Sequence, residues 1–198
     1  MMTSLSLKRL TPSQMQEDLP LFMDKIDQLA RLLGLDLSSY QADHIALRIN
    51  DTKLAQQARD AWGLSGVEIS KAQINGRPII VSLFNQPLNT EKWTIECLEL
   101  PFPAEGKIYP KEGWEHVEFV VPSEAQTAQA YLEDLQKIFP RLSQTLSDLD
   151  ALKVKMKLSS PKGEGERLNN PTVAFKHQGI CIKLHPHSLR AIVASEQE

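Results

Sequence analysis

Hydrophobic positions along this chain change period repeatedly, and each change marks an element. From Pro20 to Leu33, the residues Leu21, Phe22, Ile26, Leu29, Ala30 and Leu33 recur at helical spacing. Asp18 is placed to cap that helix, Pro20 suits its first turn and Gly34 ends it. A β-prone run carrying His44 follows. Then Thr52 to Trp62 sets Leu54, Ala55, Ala58, Ala61 and Trp62 on one side of a short helix. Val67 to Gln73, Pro78 to Phe84 and Lys92 to Leu100 read as strands. Asn75-Gly76 supplies a tight turn between the first two, and Pro101 and Pro103 stop the third.

The second half repeats this order. Trp114 to Val121 is a strand, and Pro122 to Phe139 a helix with an apolar stripe of Ala125, Ala128, Tyr131, Leu132 and Leu135. Leu152 to Leu158 alternates, with Lys153, Lys155 and Lys157 on one side. Pro171 to Lys176 and Gly179 to His185 pair across His177-Gln178, and a helix near Ser188 to Ala194 closes the chain. Short motifs repeat as well. Asp43-His44-Ile45-Ala46-Leu47 matches Glu115-His116-Val117-Glu118-Phe119, and Cys97-Leu98-Glu99-Leu100 matches Cys181-Ile182-Lys183-Leu184. Internal duplication constrains architecture more than local propensity does. The expected fold is α+β: two βαβββ modules pairing into a curved mixed sheet around a central cleft. The expected organisation is one compact unit: an N-terminal helical extension over 1–40, a first module over 41–103, a linker over 104–113, and a second module with a C-terminal helix over 114–198.

Composition narrows the function classes. With 198 residues, 41% hydrophobic and 24% charged, the chain is an ordinary globular one. A net charge of −3 gives no case for nucleic acid or an anionic membrane. No stretch is long and apolar enough to span a bilayer, and Met1 to Leu10 lacks a signal-peptide core. The two cysteines, Cys97 and Cys181, read as buried free thiols, and the expected compartment is the cytoplasm. Trp62, Trp93 and Trp114 read as core residues, and His187 as a surface or capping residue. The lysine-bearing strand lacks interleaved aromatics, so it reads as a charged edge that resists aggregation.

The paired modules resemble the vicinal oxygen chelate superfamily, which includes glyoxalases, extradiol dioxygenases and fosfomycin-resistance proteins. Within it the chain is similar to the YecM-like family, through Ala42-Asp43-His44-Ile45, Ile74-Asn75-Gly76-Arg77-Pro78, Gly113-Trp114-Glu115-His116 and Ser160-Pro161-Lys162-Gly163-Glu164. That resemblance implies one metal ligand on the first and one on the last strand of each module. The positions here are His44, Glu99, His116 and Lys183. Three are good ligands; a lysine ammonium has no lone pair. His44, His116 and Glu99 make a 2-His-1-carboxylate set suited to Mn, Fe, Ni or Zn. By strand parity His185 can supply the missing ligand, Glu118 is an alternative carboxylate, and Arg48 can clamp a substrate carboxylate.

The expected function is therefore metal binding, with isomerase, lyase or dioxygenase chemistry on a small oxygenated anion. Lys183, its pKa lowered by a cation, would act as base or stabiliser, and no nucleotide cofactor is expected. The alternative is a non-catalytic small-molecule-binding module whose metal is replaced by a Glu99–Lys183 ion pair. Ser159 to Arg167 is expected to form a lid bringing Lys162 and Arg167 to the ligand. The chain is expected to be a monomer or a homodimer.

Overall fold

The computed structural model describes residues 4–74, 76–160 and 168–195. Asn75 of the turn and 161–167 of the expected lid lie outside the described residues. In chain order the elements are α1 (Ser4–Leu7), α2 (Pro12–Leu33), β1 (Gln41–Arg48), α3 (Thr52–Trp62), β2 (Gly66–Ser70), β3 (Gln73–Ile74), β4 (Arg77–Asn89) and β5 (Thr94–Pro101). They continue with β6 (Gly113–Val120), α4 (Ala128–Ile138), α5 (Pro140–Leu146), α6 (Leu149–Leu152), β7 (Lys155–Ser159), β8 (Thr172–His177), β9 (Ile180–His185) and α7 (Leu189–Ser195).

The strands form one mixed sheet in the order β2-β4-β5-β1-β6-β9-β8-β7, with β3 pairing β4. The order states the duplication. In each half the first strand lies parallel to the last, β1 with β5 and β6 with β9. The halves meet where β1 and β6 run antiparallel. One face carries Ile45, Leu47, Val117, Phe119, Ile182 and Leu184, all fully buried. Helix α2 lies over β6 and β9 on this face, α3 and α5 touch α2, and α4 covers β7 and β8. All three tryptophans belong to the core. Trp114 Nε1 donates to the Met15 carbonyl and Trp93 Nε1 to that of Leu37, while Trp62 packs against Phe84 and Trp114.

Several boundaries differ from the sequence reading, each for a local reason. Helix α2 begins at Pro12, not Pro20, because Thr11 and Gln14 form a capping box with Pro12 at the first turn. Pro20 is carried inside the helix, and Gly34 ends it at φ 76. Helix α4 begins after Thr127, whose side chain accepts from Ala130 N. It breaks at Phe139, before Pro140, because a proline excludes helical backbone from the residue preceding it. The alternation through Leu152 fails because Leu149–Leu152 is a helical turn ended by Lys153 at φ 57. The β8–β9 turn is Gln178-Gly179, at φ 50 and 78, one residue later than expected. A two-residue hairpin requires this positive φ pair.

Candidate metal centre

Two β-bulges build the site. Between β1 and β6 the register runs Ala42↔Phe119 and then His44↔Glu118, leaving Asp43 as an extra residue in β1. Further along it runs Ala46↔His116 and then Leu47↔Trp114, leaving Glu115 as an extra residue in β6. Adjacent residues in a regular strand point to opposite faces, but a bulge re-aims one of them. Each acid therefore reaches the histidine that follows it. Asp43 Oδ2 lies 3.0 Å from His44 Nδ1, and Glu115 Oε1 lies 2.9 Å from His116 Nδ1. The bulge at Glu115 also lets Trp114 turn into the helix-covered core while His116 turns away from it.

With Nδ1–H given to a carboxylate, an imidazole that sheds its other proton offers the lone pair of Nε2 on the face opposite the helices. There they meet Glu99 of β5 and Glu118 of β6. His44, Glu99, His116 and Glu118 each offer a ligand atom, and these atoms lie within 4.8 Å of one another. His44 Nε2 is 3.0 Å from Glu99 Oε2 and 3.2 Å from Glu118 Oε1. His116 Nε2 is 3.4 Å from Glu118 Oε1 and 3.9 Å from Glu99 Oε1. Yet both buried Nε2 atoms lack an aligned hydrogen bond. Ring nitrogens that approach carboxylates without an aligned hydrogen bond fit a cation that takes the place of the proton between them. The neutral-imidazole and carboxylate donors suit Mn, Fe, Ni or Zn. On this donor set the residues fit a divalent metal.

The register explains how the site departs from its own symmetry. His44 and His116 are equivalent, paired with Cys97 and Cys181. One step further, Ala46 pairs with Glu99 in the first half, and Glu118 with Lys183 in the second. The second half has thus moved its carboxylate from the last strand to the first, and a lysine stands where the carboxylate would be. Lys183 Nζ lies 3.7 Å from Glu118 Oε1, so the ion pair expected with Glu99 forms with Glu118 instead. Burial opposes the charge on Lys183, but Glu118 and Glu99 raise its pKa. Facing these carboxylates it is held as an ammonium rather than turned into a base.

The other sequence candidates stand just behind. The place in the cluster that parity offered to His185 is filled by Glu118, one strand nearer. His185 instead stands between the acids, Nδ1 3.0 Å from Glu118 Oε2 and Nε2 3.2 Å from Asp43 Oδ2, though its Nε2, like those of His44 and His116, lacks an aligned hydrogen bond. It forms a second close group with Asp43 and His44. Asp43 also accepts from Leu189 N, the start of α7. Arg48 does not stand free as a clamp. Its Nε and Nη2 fork onto Glu115 at 2.5 and 3.1 Å, and its guanidinium lies 4.6 Å from the Tyr109 ring centre. Only its buried Nη1 lacks a partner.

Burial would raise the Glu99 carboxyl, but His44 and His116 bring it to about 2. Glu118 is likewise held well below its ordinary value by His44 and Lys183 against burial. Burial pushes both cysteine thiols up to about 11, so neither offers a thiolate at neutral pH. The side chains of Glu99 and Lys183 keep 14% and 26% exposure, so solvent reaches the cluster from their side. Asp43 and Glu115 were the residues whose function the sequence reading missed. Their signal was the acid preceding each repeated histidine.

Two βαβββ halves whose first strands join, with histidines and carboxylates converging at the join, define a mixed-sheet protein with a candidate metal centre between its halves. The chain belongs to the YecM family, whose pattern (YecM protein) matches residues 11–196. It is 42% identical over 182 residues to Protein YecM of Escherichia coli (strain K12), covering 91% of each chain. It is 34% identical over 179 residues to an "Uncharacterized protein" of Haemophilus influenzae, covering 87% of this chain and 88% of that one. A solved structure, Protein EC4020, superposes with TM-score 0.78 at 35% identity, covering 100% of this chain and 98% of the other.

Proposed function

We propose that this protein binds one divalent metal ion through His44, His116, Glu99 and Glu118, and handles a small oxygenated anion there. The observation that carries this reading is the pair of buried Nε2 atoms, each locked at Nδ1 by its own acid and left unbonded toward two carboxylates. When bound, such an ion supplies Lewis-acid polarisation of a vicinal diol, dicarbonyl or hydroxy-keto group. The chain's own residues do the rest. Asp43 and Glu115 fix the imidazoles, Leu189 N and Arg48 hold those acids in place, and Lys183 presents a positive charge at the solvent side. That charge, with the unpartnered Nη1 of Arg48, favours an anionic ligand. Isomerase, lyase and dioxygenase reactions all begin from such a site. The unpaired thiols of Cys97 and Cys181 suit a reducing compartment, and we place the protein in the cytoplasm.

One observation favours a second reading, a binding module without metal. Lys183 already neutralises part of the carboxylate charge by pairing with Glu118. Calorimetric titration of untagged, chelator-stripped protein with Mn, Fe(II), Ni and Zn separates the two. Stoichiometric uptake that disappears in His44→Ala supports the metal centre. Absence of uptake for all four ions leaves the ion-paired module.

A further inference from the structure

The side of the sheet that bears the metal cluster is electrically lopsided. In the second half, Lys157 of β7 pairs with Ala174 of β8, which pairs with Lys183 of β9. The neighbouring row runs Lys155, Lys176, Cys181, His116. Residues of one parity share a face, and Val173, Phe175, Ile182 and Leu184 point into the buried core. Lys155, Lys157, Lys176 and Lys183 therefore all stand on the face of His116 and Glu118. The matching positions in the first half are Val67, Ser70, Leu83 and Glu99, with no lysine among them.

A structural purpose accounts for only part of this row. Lys155 and Lys176 face each other directly across an antiparallel pair, an arrangement that destabilises a sheet. Protection of an exposed edge explains lysines on β7, the last strand of the sheet. It does not explain Lys176 and Lys183, one and two strands further in. Lys155, Lys157 and Lys176 are exposed, and among the described residues no carboxylate lies within ion-pair distance of any of them.

We infer that Lys155, Lys157 and Lys176 form a phosphoryl-binding row continuous with the metal cluster. The ligand it fits is an extended small molecule with a chelating oxygenated head and a phosphorylated tail. At about 4.8 Å per strand, β7 lies roughly 14 Å from β6, which sets the span between head and tail. Three ammonium groups without a carboxylate partner among the described residues call for more charge than a carboxylate carries. A phosphate monoester or a diphosphate brings about two negative charges at neutral pH, and lysine binds phosphate as a point charge. Lys183 lies between row and cluster, so head and tail occupy one continuous face. The assignment of the head rests on the proposed metal centre; that of the tail does not.

Inorganic tripolyphosphate, titrated into the full chain in chelator-containing buffer, tests the row without any metal. The wild-type protein is expected to bind it, more weakly as salt rises. The combined Lys155→Gln, Lys157→Gln, Lys176→Gln variant should lose about tenfold or more in affinity. A control of equal charge change on the helices, Lys25→Gln, Lys53→Gln, Lys137→Gln, should bind as wild type does. His44→Ala should also retain tripolyphosphate, so failure of the metal centre leaves this result intact. Equal losses in the triple variant and the control, or no binding by the wild type, would overturn the proposal.

Discussion

Glu118 and Lys183 face each other across β6 and β9, Nζ 3.7 Å from Oε1, at the register step that Ala46 and Glu99 occupy in the other half. The exchange keeps two carboxylates in the cluster but sets a competing cation beside one of them. Removing that cation frees Glu118 for a metal. Lys183→Met should therefore raise divalent-ion affinity by about tenfold, since an opposite charge at this distance is worth several kcal/mol at most in a partly solvated setting. Titration calorimetry on the stripped variant reads the change. An unchanged or weaker affinity would mean that Lys183 does not compete for Glu118.

The acids behind the histidines lend themselves to a separate test. Asp43→Asn and Glu115→Gln leave every proposed ligand in place but weaken the hold on each Nδ1–H. Outer partners of this kind are typically worth 10–100-fold in metal affinity. Each variant should lose affinity in that range while keeping its stoichiometry. Wild-type affinity in both would show that the bulges only shape the sheet.

Protonation sets the direction of pH dependence. Burial alone would lower the His44 pKa, yet Glu118, Asp43 and Glu99 raise it well above 6.5. Without metal, the charged imidazole contributes stability that is complete below 6.5 and is lost as pH rises through the raised value. A metal needs the neutral ring, so its contribution grows in the opposite direction. The increase in melting temperature on adding Mn should thus be larger at pH 8 than at pH 6. Equal increases at the two pH values would contradict proton competition at His44.

The start of α2 offers a stability prediction independent of the site. Thr11 Oγ1 accepts from Gln14 N, while the Gln14 side chain accepts from Thr11 N. Thr11→Ala should cost about 1 kcal/mol in denaturant unfolding, within the range for lost N-caps. No loss would mean that the capping box contributes nothing.

The sequence carried the architecture further than it carried the site. The order of elements along the chain and the equivalence of the two histidine strands were legible because duplication repeats them, and Glu99 was picked out by its place in the repeat, where the second half carries Lys183. The cap at Thr11 was present in the sequence, but the apolar stripe beginning near Pro20 concealed it, since Pro20 also suits a first turn. Strand parity alone could not choose among Glu118, His185 and Lys183, which share a face on adjacent strands. Their order depends on which strand lies nearer β1, a fact of sheet topology. The bulges were beyond reach for a similar reason. A bulge is a mismatch between two strands, and neither strand's sequence shows it separately. Arg48 was placed on the correct face, but its partner Glu115 became visible only through the bulge.

Everything proposed for the site depends on whether the four converging side chains hold a metal. The most direct measurement is anomalous diffraction from crystals of untagged protein soaked in Mn or Zn. One strong peak is expected, bonded to His44 Nε2 and His116 Nε2, with Glu99 and Glu118 as further ligands. A soaked crystal with no peak there, and Lys183 still paired to Glu118, would contradict it.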